Sequence, residues 1–259
     1  MFEHLLVEEK GQVAVVSINN PKSLNALNSA TLAELNECLA AIEVRKDIRV
    51  VIVTGAGPKS FVAGADISEM VNASAAEGRA MSLLAMEAFG HLEKMPQVTI
   101  AAVNGFALGG GCELAMSCDI RVAADTAIFG QPECGLGILP GFGGTQRLAR
   151  LVGEGRAKEL IFTCDRIDAQ EAYRIGLANK VVAKDELMDA CFAMAEKILS
   201  KGSYAVSLAK MCIRMGMDTD LASGLKMEAT NFGLSFATHD KAEGMQAFLE
   251  KRKANLTEF

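Results

Sequence analysis

The clustering of glycine constrains this chain more than any other feature of its sequence. Ten of the 24 glycines lie between positions 105 and 144, which is about one-sixth of the 259 residues. Glycine lets the backbone approach another group closely, because it has no Cβ. The glycines do not repeat at every third position, so the chain is not collagen-like. We therefore predict a globular domain in which tight turns in this window bring backbone amides against a ligand.

Composition and charge narrow the class of protein and its partners. Half of the residues are hydrophobic, which excludes an intrinsically disordered chain. The 26 Lys and Arg residues against 32 Asp and Glu residues give a net charge of −6. This sign disfavours nucleic acid or an anionic membrane as a partner, although a local basic site can still bind a small anion. We predict no nucleic-acid partner.

We expect neither a targeting segment nor a membrane span in this sequence. Its N-terminal sequence has no basic stretch followed by an apolar one. The longest uncharged run, 95–112, contains Pro96 and four glycines, which argues against a membrane span. The seven cysteines form no C-x-x-C pair and indicate free thiols in a reducing compartment. We therefore expect a cytoplasmic protein without a membrane partner.

Strand and helix patterns alternate in the first half of the chain. Helical spacing of leucines is visible in the segment before residue 42, with Ser29 available as its cap, and again before Pro96. Several of the apolar strand runs have no polar face, which is typical of α/β layers with a covered sheet. The predicted strands are 13–18, 50–54, 99–103 and 120–123, and the predicted helices are 31–42 and 76–94.

Helical patterns dominate after about residue 145. Only 180–183 reads as a strand there. We predict two regions, an α/β core at 1–195 and a helical region at 196–259 that packs on the core or on a neighbouring subunit. The predicted helices are 145–151, 156–162, 169–175, 186–199, 204–217, 221–236 and 241–251.

A glycine-rich turn between a strand and a helix is the first candidate for chemistry. An apolar strand stops at Asn104, three glycines follow at 109–111, and a helix starts near Cys112 with Glu113 in its first turn. Free amides at a helix N-terminus attract negative charge and can stabilise an oxygen anion. The same helix end favours the ionised form of Glu113, which suits a proton acceptor. The alternative is a structural turn in which Glu113 only begins the helix.

A second glycine-edged segment, 131–147, contains a carboxyl in apolar company. Phe129, Leu136 and Ile138 surround Glu133 in the sequence, and burial there would raise its pKa and keep it protonated. Two carboxyls in different environments can divide the duties of acid and base. The alternative is that Glu133 lies in a surface loop. Neither glycine cluster fits a dinucleotide-binding or P-loop pattern.

A third segment, 61–67, supplies another helix entrance. Asp66 is placed to cap a helix that begins at Ile67, so the amides near Gly64 and Ala65 lie at that entrance. Two such entrances facing one point would form a hole with two donors for an oxyanion, although a capped turn alone also explains Asp66. The three histidines are scattered without metal-ligand spacing, and we predict no metal site.

Together these segments resemble the crotonase (enoyl-CoA hydratase) superfamily along essentially the whole chain. Within that family the likeness is greatest to short-chain hydratases of the crotonase or 3-hydroxybutyryl-CoA dehydratase type. The resemblance implies a spiral of repeated β-β-α units, a C-terminal helical region, and trimers that pair into hexamers. It also implies acyl-CoA thioester substrates and no metal or redox cofactor. The segments that carry it are NPKSLNAL at 20–27, AGADI at 63–67, the run 104–113, QPE at 131–133 and QR at 146–147.

The resemblance also implies roles for individual residues. The thioester oxygen would lie between the backbone amides of Ala65 and Gly110. Glu113 would activate water and Glu133 would deliver a proton, while Gly141 would position the water through its backbone. The residues that match the family's CoA channel are Lys22, Leu24, Ala63, Asp66 and Ile67.

The function implied is reversible syn hydration of short-chain trans-2-enoyl-CoA, such as crotonyl-CoA, to (3S)-3-hydroxyacyl-CoA. This reaction belongs to fatty-acid β-oxidation or to butyrate- and butanol-type metabolism. The alternatives are a Δ3,Δ2-enoyl-CoA isomerase or another acyl-CoA enzyme of the family, an RNA-binding relative, and a structural subunit of a β-oxidation complex. The RNA-binding branch of the family is associated with a lysine-rich helix. The corresponding helix here, 31–42, contains no lysine, which disfavours RNA binding. Met81, Met86 and Phe142 are candidates for a pocket floor that selects four carbons.

Overall fold

The computed structural model describes residues 2–257, where strands and helices alternate along the chain. The strands are β1 (Leu5–Lys10), β2 (Val13–Ile18), β3 (Val50–Gly55), β4 (Ser60–Val62), β5 (Val98–Val103), β6 (Phe106–Leu108), β7 (Ile120–Ala124), β8 (Ile128–Gly130), β9 (Arg166–Asp168) and β10 (Lys180–Val182). The helices are α1 (Ser29–Glu43), α2 (Ile67–Met70), α3 (Ala75–Lys94), α4 (Gly110–Ser117), α5 (Gly144–Val152), α6 (Glu154–Thr163), α7 (Ala169–Arg174), α8 (Leu187–Leu199), α9 (Ser203–Gly216), α10 (Leu221–Ser235) and α11 (His239–Glu250).

The main sheet has six strands in the order β1-β2-β3-β5-β7-β10 and is parallel except for the hairpin β1–β2. Helices cover both of its faces. Val51 and Val53 of β3 pack with α1 and α3, whereas Val50 and Ile52 pack with α8. Because side chains alternate between the faces of a strand, a sheet covered on both sides needs apolar residues at every position. This confirms the predicted α/β layers.

A smaller sheet, in the order β4-β6-β8-β9, holds three-residue strands, of which β4, β6 and β8 each follow a strand of the main sheet. The chain passes from β3 to β4 and into α2 and α3, from β5 to β6 and α4, and from β7 to β8 and α5. This is the predicted repeat of β-β-α units, and it is confirmed. Because β4, β6 and β8 run in parallel, their carboxyl ends meet at one edge, where α2 and α4 begin.

Most predicted elements agree with the structure to within two residues, and two kinds of difference have physical causes. Asn28 caps α1 by accepting a hydrogen bond from the Thr31 amide at 2.8 Å, so the expectation that Ser29 is the cap is wrong. Ser29 instead donates through its hydroxyl to Glu69. The prediction also missed β1, which is largely exposed, and the four strands of the smaller sheet, which are too short to show a period.

The C-terminal helices α9 to α11 follow α8, whose buried residues Leu187, Cys191 and Ala195 pack against the main sheet. The predicted boundary between 195 and 196 falls within α8, and the division into two regions stays a prediction. Several large apolar side chains of the last two helices are exposed, among them Leu225, Phe232, Phe248 and Leu249. Within residues 2–257, none of the helices combines the length and apolar character that crossing a membrane requires.

Candidate active site

Glu113 lies in the first turn of α4, which is buried throughout. The chain enters this helix through Gly109, whose φ of +50° is a conformation that glycine adopts without strain. Gly111 then packs so closely on β4 that an added Cβ would lie 1.9 Å from the carbonyl oxygen of Val62. The glycines that the sequence places here therefore let α4 approach the smaller sheet and carry Glu113 into the interior, where it is 1% exposed.

The carboxylate of Glu113 is held by the loop that precedes α5. Its Oε1 accepts hydrogen bonds from the amides of Phe142 at 2.8 Å and Gly144 at 2.7 Å. Burial, and to a smaller extent the nearby charge of Glu133, raises the pKa of Glu113 to about 7 against the opposing effect of the two amides. The expectation that the helix end favours the ionised form is outweighed by burial, so the net shift of the pKa runs the other way.

Glu133 begins the short 3-10 turn after β8 and is buried, not part of an exposed loop. Burial raises its pKa to about 7, in the direction predicted from its apolar neighbours. The side-chain amide of Gln131, oriented so that its nitrogen faces Glu133, donates to the two carboxyl oxygens at 3.0 and 3.2 Å. A Cβ on Gly109 would lie 2.5 Å from Glu133 Oε1, so this glycine makes room for the second carboxyl beside α4.

Two backbone amides face the same space. Ala65 is fixed by its bridge to Leu27, in which the Leu27 amide donates to Gly64 and the Asp66 amide donates to Leu27. Asp66 caps α2 by accepting from the Ser68 amide at 2.9 Å, as the sequence predicts. Among the described residues, the amide of Ala65 and that of Gly110 have no hydrogen-bond acceptor. Both are therefore free to donate to a bound group.

These groups line one cavity of about 570 Å³. Its wall includes both carboxyls and both free amides, together with Phe142 and Met81. Met86, the third residue considered for the pocket floor, is 41% exposed on α3 and is not part of this wall. The predicted site residues that line the cavity are Ala63, Ala65, Ile67, Gly110, Glu113, Glu133 and Gly141.

Three predicted CoA contacts lie near the cavity without forming its wall: Asp66 at the start of α2, and Lys22 and Leu24 in the turn after β2. This turn is attached to the site because the Ala63 amide donates to the Leu24 carbonyl at 3.1 Å. The side-chain amide of Asn25 also holds the turn by donating to the carbonyls of Ala56 and Ser60.

The loop that holds Glu113 has partners that the sequence did not single out. Ser82 of α3 donates to the Gly141 carbonyl, and Arg147 donates to the Phe142 carbonyl at 2.7 Å. Arg147 also forms a two-pronged ion pair with Glu93, at 2.8 and 2.9 Å. The feature of the sequence that could have indicated these contacts is the run from Gly141 to Arg147, in which glycines precede a basic residue.

The cavity contains two buried carboxyls and two free amides, and the sequence also matches a known protein family. The sequence profile described as enoyl-CoA hydratase/isomerase matches residues 8–258. The chain belongs to the enoyl-CoA hydratase/isomerase family. The resemblance read from the motifs is therefore confirmed.

Relatives in this family are similar over nearly their whole length. A protein named crotonyl-CoA hydratase from Syntrophomonas wolfei is 55% identical over 254 residues, covering 98% of each chain. A short-chain-enoyl-CoA hydratase from Clostridium acetobutylicum is 56% identical over 252 residues, covering 97% of each. The crystal structure of enoyl-CoA hydratase from Bacillus anthracis has a TM-score of 0.94 at 44% identity, covering 98% of each chain. That from Geobacillus kaustophilus has a TM-score of 0.97 at 36% identity, covering 100% of this chain and 98% of that one.

Proposed function

We propose that this protein catalyses the reversible addition of water to short-chain trans-2-enoyl-CoA, with crotonyl-CoA as a substrate and (3S)-3-hydroxyacyl-CoA as the product. The observation that carries the proposal is the presence of two buried carboxyls, Glu113 and Glu133, in one cavity with the free amides of Ala65 and Gly110. The names of the two relatives with more than half of their residues identical support the substrate class.

The two amides act on the thioester carbonyl. An oxygen that accepts hydrogen bonds from Ala65 and Gly110 draws electron density from the conjugated double bond, which makes C3 electrophilic. As water attacks C3, the negative charge of the enolate develops on that oxygen, and fixed donors stabilise it more than they stabilise the ground state. Removing one such donor in other enzymes costs about 3 to 4 kcal/mol of transition-state stabilisation.

The two carboxyls divide the proton transfers. Glu113 holds two amide donors on one oxygen, which suits the ionised form, so it accepts the proton of the water whose oxygen bonds to C3. Glu133, which burial keeps protonated near neutral pH, gives its proton to C2. In the proposed reaction the hydroxyl group and the proton add to the same face of the double bond, which is syn hydration. The backbone of Gly141 positions the water beside Glu113.

The proposed function also includes expectations about cofactors, CoA binding, location and assembly. Because backbone amides polarise the carbonyl, the proposed reaction uses no metal or redox cofactor, and CoA enters as part of the substrate. Lys22 supplies positive charge for a CoA phosphate, with Leu24, Ala63, Asp66 and Ile67 along the CoA path. We also propose a cytoplasmic protein that assembles as a homotrimer or as a dimer of trimers, joined through the exposed apolar side chains of α10 and α11.

Loss of the conjugated enoyl absorbance after mixing with crotonyl-CoA tests the proposal. Glu113→Gln and Glu133→Gln should each slow hydration by roughly 100-fold to 10,000-fold, because each removes one proton-transfer group. Glu154→Gln changes an exposed glutamate of α6 and should leave the rate unchanged. Turnover of 3-butenoyl-CoA without hydration of crotonyl-CoA would identify an isomerase instead. Full activity of either cavity variant would contradict the assigned roles.

A further inference from the structure

We propose that Met81 sets the length of acyl chain that the enzyme accepts, by separating the reaction cavity from a second cavity behind it. The inference rests on the proposed hydratase function and adds a specificity-determining residue to it. Met81 lies in the middle of α3 and is half-buried against the main core.

The second cavity is comparable in size with the first. It has a volume of about 530 Å³, is open to the surface, and is lined by the start of α1, by α2 and by the first turns of α3. Met81 lines both cavities and is the one residue common to the two walls within the described chain. Elsewhere α3 itself lies between the two spaces, since Gly78 and Ser82 line the first and Glu77 and Ala80 line the second. Met81 is the side chain at which the two spaces adjoin.

The direction of the acyl chain brings it to this partition. With the carbonyl at Ala65 and Gly110, C2 and C3 lie at the carboxyls, and CoA leaves past Ala63, which is bonded to the exposed turn at Leu24. The loop that holds Glu113 is joined to α3 by the hydrogen bond from Ser82 to Gly141. Carbons beyond C3 therefore point toward α3, away from the CoA side.

The wall of α3 has room in front of Met81. Gly78, which precedes Ser82 by about one turn, lines the reaction cavity, and a Cβ built on it would have no atom within 4 Å. Ala75 adds only a methyl group. Among the α3 residues on this wall, Met81 has the largest apolar side chain, so it is the group that a longer acyl chain would have to displace.

The second cavity can receive an apolar chain because its carboxylates already have partners. Glu69 accepts from the amide and hydroxyl of Ser29 at 2.9 and 2.7 Å. Glu77 accepts from the amide and hydroxyl of Ser74, both at 2.7 Å. The apolar part of the wall is formed by Ala73, Ala80 and Leu84.

The test is a comparison of kcat/KM for trans-2-enoyl-CoAs of four, six, eight and ten carbons. We expect wild-type kcat/KM to fall as the chain lengthens. Met81→Ala opens the partition and should raise the ratio of C8 to C4 activity at least 10-fold. Met86→Ala, an equal truncation at an exposed site on the same helix, should leave that ratio within twofold.

Met81→Phe provides a second variant that enlarges the partition instead of removing it. It should retain C4 activity and reduce activity on C8 further. An unchanged C8-to-C4 ratio in Met81→Ala, or an equal change in Met86→Ala, would overturn the role of Met81. If Met81→Ala does not fold, an unchanged C8-to-C4 ratio in Met81→Phe would likewise overturn the role of Met81. A wild-type enzyme that hydrates none of the four substrates would instead refute the proposed function.

Discussion

Glu113 and Glu133 carry similar pKa values for partly different reasons. Burial is the main cause for both, but the charge of Glu133 raises the pKa of Glu113 while two amides lower it. With both pKa values raised to about 7, one carboxyl can be ionised while the other is protonated at neutral pH. The hydrogen bonds decide where the charge resides, because only Glu113 accepts from two backbone amides on one oxygen. Environment, rather than residue type, separates base from acid.

Because their pKa values are raised in the folded protein, these two carboxyls lower the free energy of unfolding at high pH. An unfolded glutamate has a pKa near ~4.3, whereas Glu113 in the fold has a pKa of about 7. Between these values the folded state binds more protons, so the free energy of unfolding falls as pH rises. Relative to wild type, Glu113→Gln should therefore gain stability between pH 5 and pH 8, on the order of 1 to 3 kcal/mol.

Urea unfolding at pH 5 and pH 8, at one protein concentration, measures this difference. The glutamine oxygen can still accept from the Phe142 and Gly144 amides, so the variant keeps the local geometry. Glu154→Gln is the control, because the pKa of Glu154 is lowered by Lys158 and its loss cannot produce the same trend. A stability difference for Glu113→Gln that stays constant or shrinks with rising pH would contradict the assigned shift.

Sequence alone predicted the two carboxyls of the candidate site better than the groups that hold them. Glu113 and Glu133 stand out because glycines or apolar residues flank them in short segments. The partners of Glu113 lie 29 and 31 residues away, and they meet it only when the loop after the 3-10 turn folds over α4. Arg147 pairs with Glu93 across 54 residues, a distance over which no local pattern joins the two. Such contacts depend on tertiary packing, which a single sequence does not display.

Among the elements, α4 owes its position to the absence of side chains. Gly111→Ala would place a Cβ 1.9 Å from the Val62 carbonyl oxygen, which forces α4 away from β4. We expect a loss of about 3 kcal/mol or more of stability, because backbone cannot move aside as a flexible side chain can. Gly155→Ala in α6 meets no atom within 4 Å and should be neutral or stabilising by up to about 1 kcal/mol. Thermal unfolding of both variants measures this contrast, and equal effects would contradict it.

The connection between α5 and α3 positions the loop that holds Glu113. Arg147 of α5 holds the Phe142 carbonyl while its guanidinium pairs with Glu93 of α3. Lysine cannot make this forked contact. Arg147→Lys should therefore lower kcat roughly 10- to 100-fold with a smaller change in KM, because a small displacement of the Phe142 amide misplaces the carboxylate.

The dependence of kcat/KM on pH distinguishes positioning from simple loss of stability. The positive charge of Arg147 lowers the pKa of Glu113. If the replacement lysine no longer reaches the loop, the acidic limb of the profile should move to higher pH. Arg150→Lys, at an exposed site of the same helix, should retain the wild-type profile. An unaltered profile and kcat in Arg147→Lys would show that this pair does not act on the carboxylate.

The short strands show how far an element can be predicted from its own residues. Runs such as Val98–Val103 are buried at every position and apolar except at Thr99, and they were recognised because a sheet covered on both faces leaves no polar side. Three residues such as Phe106–Leu108 hold no such period, and their pairing with Ile128–Gly130 comes from the parallel stacking of the repeats. The repeat of β-β-α units was predicted from the family resemblance, not from local propensity.

At the scale of the whole molecule, the apolar surface of the C-terminal helices requires a covering. Phe248 is 82% exposed and Leu249 is 74% exposed, side by side on α11, and α10 exposes Phe232 and Leu225 as well. A concentration of large exposed apolar side chains on two consecutive helices is typical of a contact between subunits. Scattered apolar residues elsewhere, such as Val44 at 81% exposure after α1, have no such neighbours on their element.

Phe248→Asp tests whether this surface joins the proposed trimer. A buried aromatic residue at an interface contributes about 2 kcal/mol or more, and an aspartate in its place adds an unpaired charge, so the subunit dissociation constant should rise at least ~30-fold. Size-exclusion chromatography with light scattering should give a multiple of 27.5 kDa for wild type and a smaller mass for the variant on dilution. Val44→Asp makes a similar change at an isolated exposed site and should leave the mass unaltered. If Phe248→Asp keeps the wild-type mass, or if Val44→Asp dissociates to the same extent, the subunits do not contact each other through α10 and α11.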